Sequence, residues 1–126
     1  MKFQALFALA LSLVSTLSFA SESRLVETCR SQGRYQGGYI FMDLLQVGTN
    51  SYRAIISETR DLATVKNKLV DVTGISMSRA SFPADHALTN GNGFELYTTP
   101  GDRQSQTVTY VANGKRHQVA LWCDLQ

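Results

Sequence analysis

Two cysteines, Cys29 and Cys123, stand near opposite ends of this chain, with no other cysteine between or around them. If they bond, the first structured segment is tied to the last, which suits a sheet that curls until its end strands meet. An even cysteine count reads as a disulfide only in an oxidising compartment, so the N-terminus has to be read first. Lys2 is the only charge before Glu22, and Phe3 to Phe19 is mostly Leu, Ala, Phe and Val. Ser18-Phe19-Ala20 then places small residues at the −3 and −1 positions of a cleavage site. Those three zones predict a secretory leader over 1–20, removed on export to a periplasmic or extracellular location. A membrane-spanning helix would want roughly 20 predominantly apolar residues, and Ser12, Ser15, Thr16 and Ser18 interrupt the run. No stable membrane insertion is expected after cleavage.

In that compartment the structural disulfide outweighs its alternatives. A zinc site would need two further ligands, and His86 and His117 are not at ligand spacing from either cysteine. A redox pair would sit at Cys-x-x-Cys, which is absent. No metal or cofactor is therefore expected. The remaining segment, 21–126, has the length of one domain. Its basic residues are scattered, the closest groups being Lys66-Asn67-Lys68 and Lys115-Arg116, and the whole chain carries only +2 at neutral pH. Nucleic-acid binders gather charge into a stripe, because each phosphate contact adds to affinity, so nucleic acid is not an expected partner.

Short apolar runs separated by turn residues give the pattern of an antiparallel β domain. Leu25 to Arg30 reads as a first strand carrying Cys29. Tyr39 to Val47 is apolar on both faces, as in a central or covered strand. Ser51 to Glu58 returns after the turn at Gly48-Thr49-Asn50. Thr59 to Lys68 fits either a short helix, through Leu62, Val65 and Leu69, or a long loop. Leu69 to Met77 is a strand with Gly74 marking a bulge or bend. Ser78 to Asn92 lacks periodicity and reads as a long surface loop, followed by a strand from Gly93 to Thr99. The clearest local signal is Asn113-Gly114, the pair preferred where both central residues of a hairpin turn need positive φ. It pairs Ala112 with Lys115, Tyr110 with His117 and Val108 with Val119. One face then holds Val108, Tyr110, His117, Val119, Leu121 and Cys123, which belongs to the core. About six or seven strands in meander order predict an all-β antiparallel barrel or two-sheet sandwich closed by the disulfide.

Chemistry-bearing residues are sparse. His117 lies beside Tyr110 with no carboxylate at i±2 to orient it, so a rim histidine is expected, not a base. The acids Asp43, Glu58, Asp71 and Glu95 fall in expected strands. They would make a glycosidase-like pair only if closure turned two of them inward. Aromatic residues are the better lead, with Tyr97 and Trp122 on faces opposite the core sets. The Ser78–Asn92 segment supplies Arg79, Phe82, Asp85 and His86, a mixture of charge, hydrogen-bonding and apolar groups. Loops on a rigid scaffold are where binding groups usually reside. Arg79, Phe82, Asp85, His86, Tyr97 and Trp122 are therefore the candidate contact residues.

In outline the chain resembles the small periplasmic lysozyme inhibitors of the C-type. The points of likeness are a leader, a barrel of this size, the Phe94-Glu95-Leu96-Tyr97 strand, a turn, the Val108–Val111 strand and Cys123 near the end. The Ser-Gly-x-x-Tyr signature of that family's binding loop has no counterpart between Ser76 and Tyr97. The resemblance thus implies architecture and carries over no binding residues. The sequence leads to a non-enzymatic binding or inhibitor-like module for a protein or a cell-wall component. A small hydrolase with paired carboxylates and a structural envelope protein stand as its alternatives.

Overall fold

The structure, a computed structural model, describes residues 23–60, 65–80 and 86–126, with the backbone alone at Arg79 and Ala80. The leader expected over 1–20, and the candidates Phe82 and Asp85, lie outside these residues. Eight strands follow one another: β1 (Arg24–Ser31), β2 (Gly38–Gly48), β3 (Ser51–Arg60), β4 (Asn67–Ala80), β5 (His86–Thr89), β6 (Glu95–Thr99), β7 (Asp102–Ala112) and β8 (Lys115–Leu125). Each pairs antiparallel with the next, and β8 pairs with β1, so the meander closes into a barrel. Closure removes free sheet edges, and eight strands leave an interior just wide enough for side chains to fill.

The seam that closes the barrel is the one the cysteines forecast. Cys29 stands directly opposite Cys123 in the β1–β8 register. Their sulfurs are at bonding distance, 2.11 Å, across a sequence separation of 94 residues. Among the described residues no helix is long and apolar enough to cross a membrane. The interior holds Ile40, Met42 and Leu44 from β2, Ala54 and Ile56 from β3, and Ile75 from β4. Leu88, Leu96, Val108, Tyr110, Val119 and Leu121 complete the wall from β5 to β8, with Phe94 just before β6. Fully burying a side chain of this size stabilises the fold by about 1.5–3 kcal/mol, which makes the filled cylinder the main source of stability.

The β7–β8 hairpin has the expected register, with Ala112 opposite Lys115, Tyr110 opposite His117 and Val108 opposite Val119. Asn113 and Gly114 both take positive φ, 55° and 74°. Gly74, at φ 71°, sits where β4 slips by one residue against β3, which is the bulge its position foretold. On the outer face of β2, one cation stands over each of two rings. Lys66 Nζ lies 4.4 Å from the centre of the Phe41 ring, and the Arg34 guanidinium 5.6 Å from that of Tyr39.

Two expectations need correction. Ser78 to Asn92 is not one long loop, because β4 continues to Ala80 and His86–Thr89 forms β5, hydrogen-bonded to β4 and β6. A four-residue strand among polar residues gives no alternation to detect. Thr59 to Lys68 is neither wholly loop nor helix at its described ends. Thr59 and Arg60 end β3, while Asn67 and Lys68 begin β4. Thr59, 8 % exposed, and the register of Glu58 with Asn67 show that strand pairing outlasted the apolar pattern.

Candidate functional site

Three places gather polar or aromatic side chains: the outer face at the seam and the two mouths of the barrel. On the outer face, successive strands bring residues into rows. Arg30 of β1 lies between Trp122 of β8 and Phe41 of β2. In the next row, Thr28 lies between Asp124 and Asp43. Adjacent strands are about 4.8 Å apart, so each row spans roughly 10 Å. Trp122 is 46 % exposed. These residues, with Lys66, line an open groove of about 290 Å³. Alternation explains the row: with Cys123 and Cys29 turned inward, Trp122 and Arg30 must point out.

At one mouth, Tyr52, Met77, Leu44, Leu88 and Leu125 wall a pocket of about 200 Å³, with Arg24, Gln46, His86 and Arg103 also on its border. Its most buried lining residue is Glu27, 1 % exposed. Burial pushes the Glu27 carboxyl above its usual range. The hydrogen bond from Gln106 and the charge of Arg103 pull the other way. Gln106 Nε2 donates to Glu27 Oε1 at 2.9 Å and to the Arg103 carbonyl at 3.0 Å. Gln106 Oε1 is buried with no hydrogen-bond partner. The Cys29 sulfur lies 3.8 Å from Glu27 Oε2, but a disulfide sulfur has no proton to donate. Glu27, Cys29 and Cys123 also group within 4.8 Å as potential metal ligands. With both sulfurs in the bridge, only the carboxylate is left to bind a metal, which is too few ligands for a site.

At the opposite mouth, the Tyr35 hydroxyl hydrogen-bonds His117 Nδ1 at 2.9 Å. The His117 ring stacks on Tyr110, with centroids 5.1 Å apart. Burial raises the Tyr110 phenol to about 12, with smaller contributions from Tyr35 and Glu58. His117 is half-buried, packed as a rim histidine.

Among the candidate contact residues whose side chains are described, His86, Tyr97 and Trp122 stand at separate places. His86 begins β5 and borders the Glu27 pocket. Tyr97 is half-buried on β6, its hydroxyl accepting from Gln118 Nε2 at 3.3 Å. Trp122 stands on β8, with β7 between it and the strand of Tyr97. Arg79 belongs to β4 by its backbone. The four strand carboxylates are dispersed. Arg53 holds Asp71 through two bonds, one of 2.8 Å, keeping its carboxyl below the usual range. Glu58 pairs with Arg60 at 3.2 Å, Glu95 is exposed, and Asp43 is half-buried. Glu27 and Arg30 are the site residues missed in the sequence. The signal was available, because a strand with Cys29 turned inward also turns Glu27 inward and Arg30 outward. No protein-family model, no curated protein and no solved structure matches this chain.

Proposed function

We propose that the chain is an exported, non-enzymatic binding module that grips a partner protein with the outer face of β8, β1 and β2. One observation carries this reading: Trp122, Arg30 and Phe41 stand side by side in one cross-strand row on an open groove. Trp and Arg are the side chains that most often dominate protein interfaces, because each offers large contact area together with a polar handle. Asp43, Asp124 and Lys66 at the same groove supply the mixed charges that fix register against a partner. Export rests on the leader pattern of 1–20 and agrees with the bonded cysteine pair, which is compatible with an oxidising compartment.

Trp122 is the chain's single tryptophan, so its fluorescence reports on this face alone. Wild type, Trp122→Ala and Arg30→Ala should be compared in capture from periplasmic and culture fractions, with Tyr97→Phe as a control on β6. A partner retained by the control should weaken by about thirtyfold or more in both face variants, the loss typical of an interface hot spot. Its binding should also shift Trp122 emission. If both variants keep every partner that the wild type captures, the face is not the binding surface.

A further inference from the structure

The pocket behind Glu27 belongs to no part of that outer face. It opens at a barrel mouth, a common place for small-molecule sites in β-barrels. Its volume, about 200 Å³, is space for about seven waters at ~30 Å³ each, the bulk of a molecule the size of leucine. Its chemistry is uneven in a directional way. The walls are apolar, from Leu44, Leu88, Leu125, Met77 and the Tyr52 ring. The pocket's least exposed lining group is the Glu27 carboxyl, whose second oxygen has a protonless disulfide sulfur 3.8 Å away. Gln106, bonded to its first oxygen, keeps a buried Oε1 with no hydrogen-bond partner among the described residues. Buried acceptors left without donors are costly, and native proteins rarely tolerate them without a reason. On the border, the exposed Arg103 makes no ion pair among the described residues, while Arg24 donates to Gln46 Oε1 at 2.8 Å.

We propose that this mouth binds a small zwitterion of the free amino-acid type, its ammonium on Glu27, its carboxylate on Arg103 and an apolar side chain against Leu44, Leu88 and Met77. Each part answers one feature of the pocket. An ammonium brings three donors to a place short of donors. A carboxylate takes the guanidinium, which offers a matching fork of N–H groups. Glu27 and Arg103 line the same pocket, and the Arg103 charge acts on the Glu27 carboxyl, so one small ligand can meet both groups. An amine alone would leave Arg103 unanswered, and a fatty acid alone would bury its tail against a carboxyl.

Three probes of one carbon skeleton separate these contributions: leucine, isoamylamine and 4-methylpentanoate, titrated into isotope-labelled protein at neutral pH and followed by NMR. Leucine should give saturable shifts at the amides of Glu27, Leu44, Met77 and Leu88. Each half-molecule should bind at least about tenfold more weakly. Glu27→Gln should cost leucine about tenfold and leave 4-methylpentanoate unchanged, while Arg103→Ala should weaken both of these and spare the amine. Lack of saturable shifts with millimolar leucine overturns the proposal. So does equal binding of leucine and 4-methylpentanoate, since Glu27 would then contribute nothing. Should Glu27→Gln fail to fold, Arg103→Ala at an exposed side chain and the half-molecule comparison still decide. Failure here leaves the Trp122 face untouched, because that row lies outside the wall and this pocket inside it.

Discussion

The two mouths of the barrel face one problem, polar side chains at the end of an apolar cylinder, and they answer it differently. Around His117 the partners come from the protein itself. Tyr35 bonds one ring nitrogen, Tyr110 stacks on the face, and Glu58 on the border has Arg60. Around Glu27 the partners run short. One amide serves the carboxyl, a sulfur without a proton faces its other oxygen, and the amide's own oxygen is orphaned. A network completed by its own residues needs nothing further and is best explained as structure. A network missing donors carries a standing penalty of about 1–3 kcal/mol per buried group, and a ligand's donors could reach the part of it borne by Glu27, which lines the pocket. For that reason the ligand proposal attaches to the Glu27 mouth, although the other mouth holds the histidine.

The largest effect should come from opening the seam beside Glu27. Replacing Cys29 and Cys123 together with serine frees a loop of 94 residues and should cost about 3 to 5 kcal/mol in urea unfolding. Because Cys29 touches Glu27, amide exchange near Glu27 should then quicken more than exchange near Tyr110. Equal acceleration at both mouths would show that the seam does not set the difference between them.

The second effect is smaller and opposite in sign. Burial raises the folded Glu27 carboxyl above its usual value of 4.5. Below that value both the folded and the unfolded chain hold the proton, so this group costs nothing. As pH rises, the unfolded chain ionises first, and stability falls until the folded carboxyl ionises too. Glu27→Gln removes that slope, because an amide does not ionise. It should match wild type in acid and exceed it near neutrality by about 1–2 kcal/mol. A variant less stable than wild type at neutral pH would mean that Glu27 is satisfied as it stands.

Much of the frame was legible because single residues dictate it. Asn113-Gly114 admits the positive φ values that a two-residue turn needs, and one correct turn fixes the register of both strands. Gly74 marked its bulge, and the cysteines marked the seam. What stayed hidden depends on neighbours far away in sequence. β5 is strand because β4 and β6 offer it ladders on both sides, not because His86-Ala87-Leu88-Thr89 alternates strongly. Glu27 became the deepest polar group because Gln106, 79 residues away, reaches it across the interior. The pocket likewise draws its lining from strands at both ends of the chain, so no short window of sequence contains it.

The smallest expected effect tests the claim that the His117 mouth is complete. Tyr35→Phe keeps the edge-on ring contact with His117, now at 5.8 Å between centroids, and deletes only the hydroxyl. Tyr35 is half-buried, so water reaches the freed ring nitrogen and replaces much of the bond. The cost should be about 0.5–1 kcal/mol, the net worth of an ordinary hydrogen bond that solvent partly restores. The backbone pairing of Tyr35 with Gly38, at 2.7 and 3.2 Å, does not involve the side chain. The tight turn through Gln36 and Gly37 should therefore persist, which amide exchange at Gly38 would confirm. A loss above about 2 kcal/mol would place His117 with the buried groups that solvent cannot reach. The two mouths would then differ in degree of burial and not in completeness of partners, and the reason for seeking a ligand at Glu27 alone would weaken.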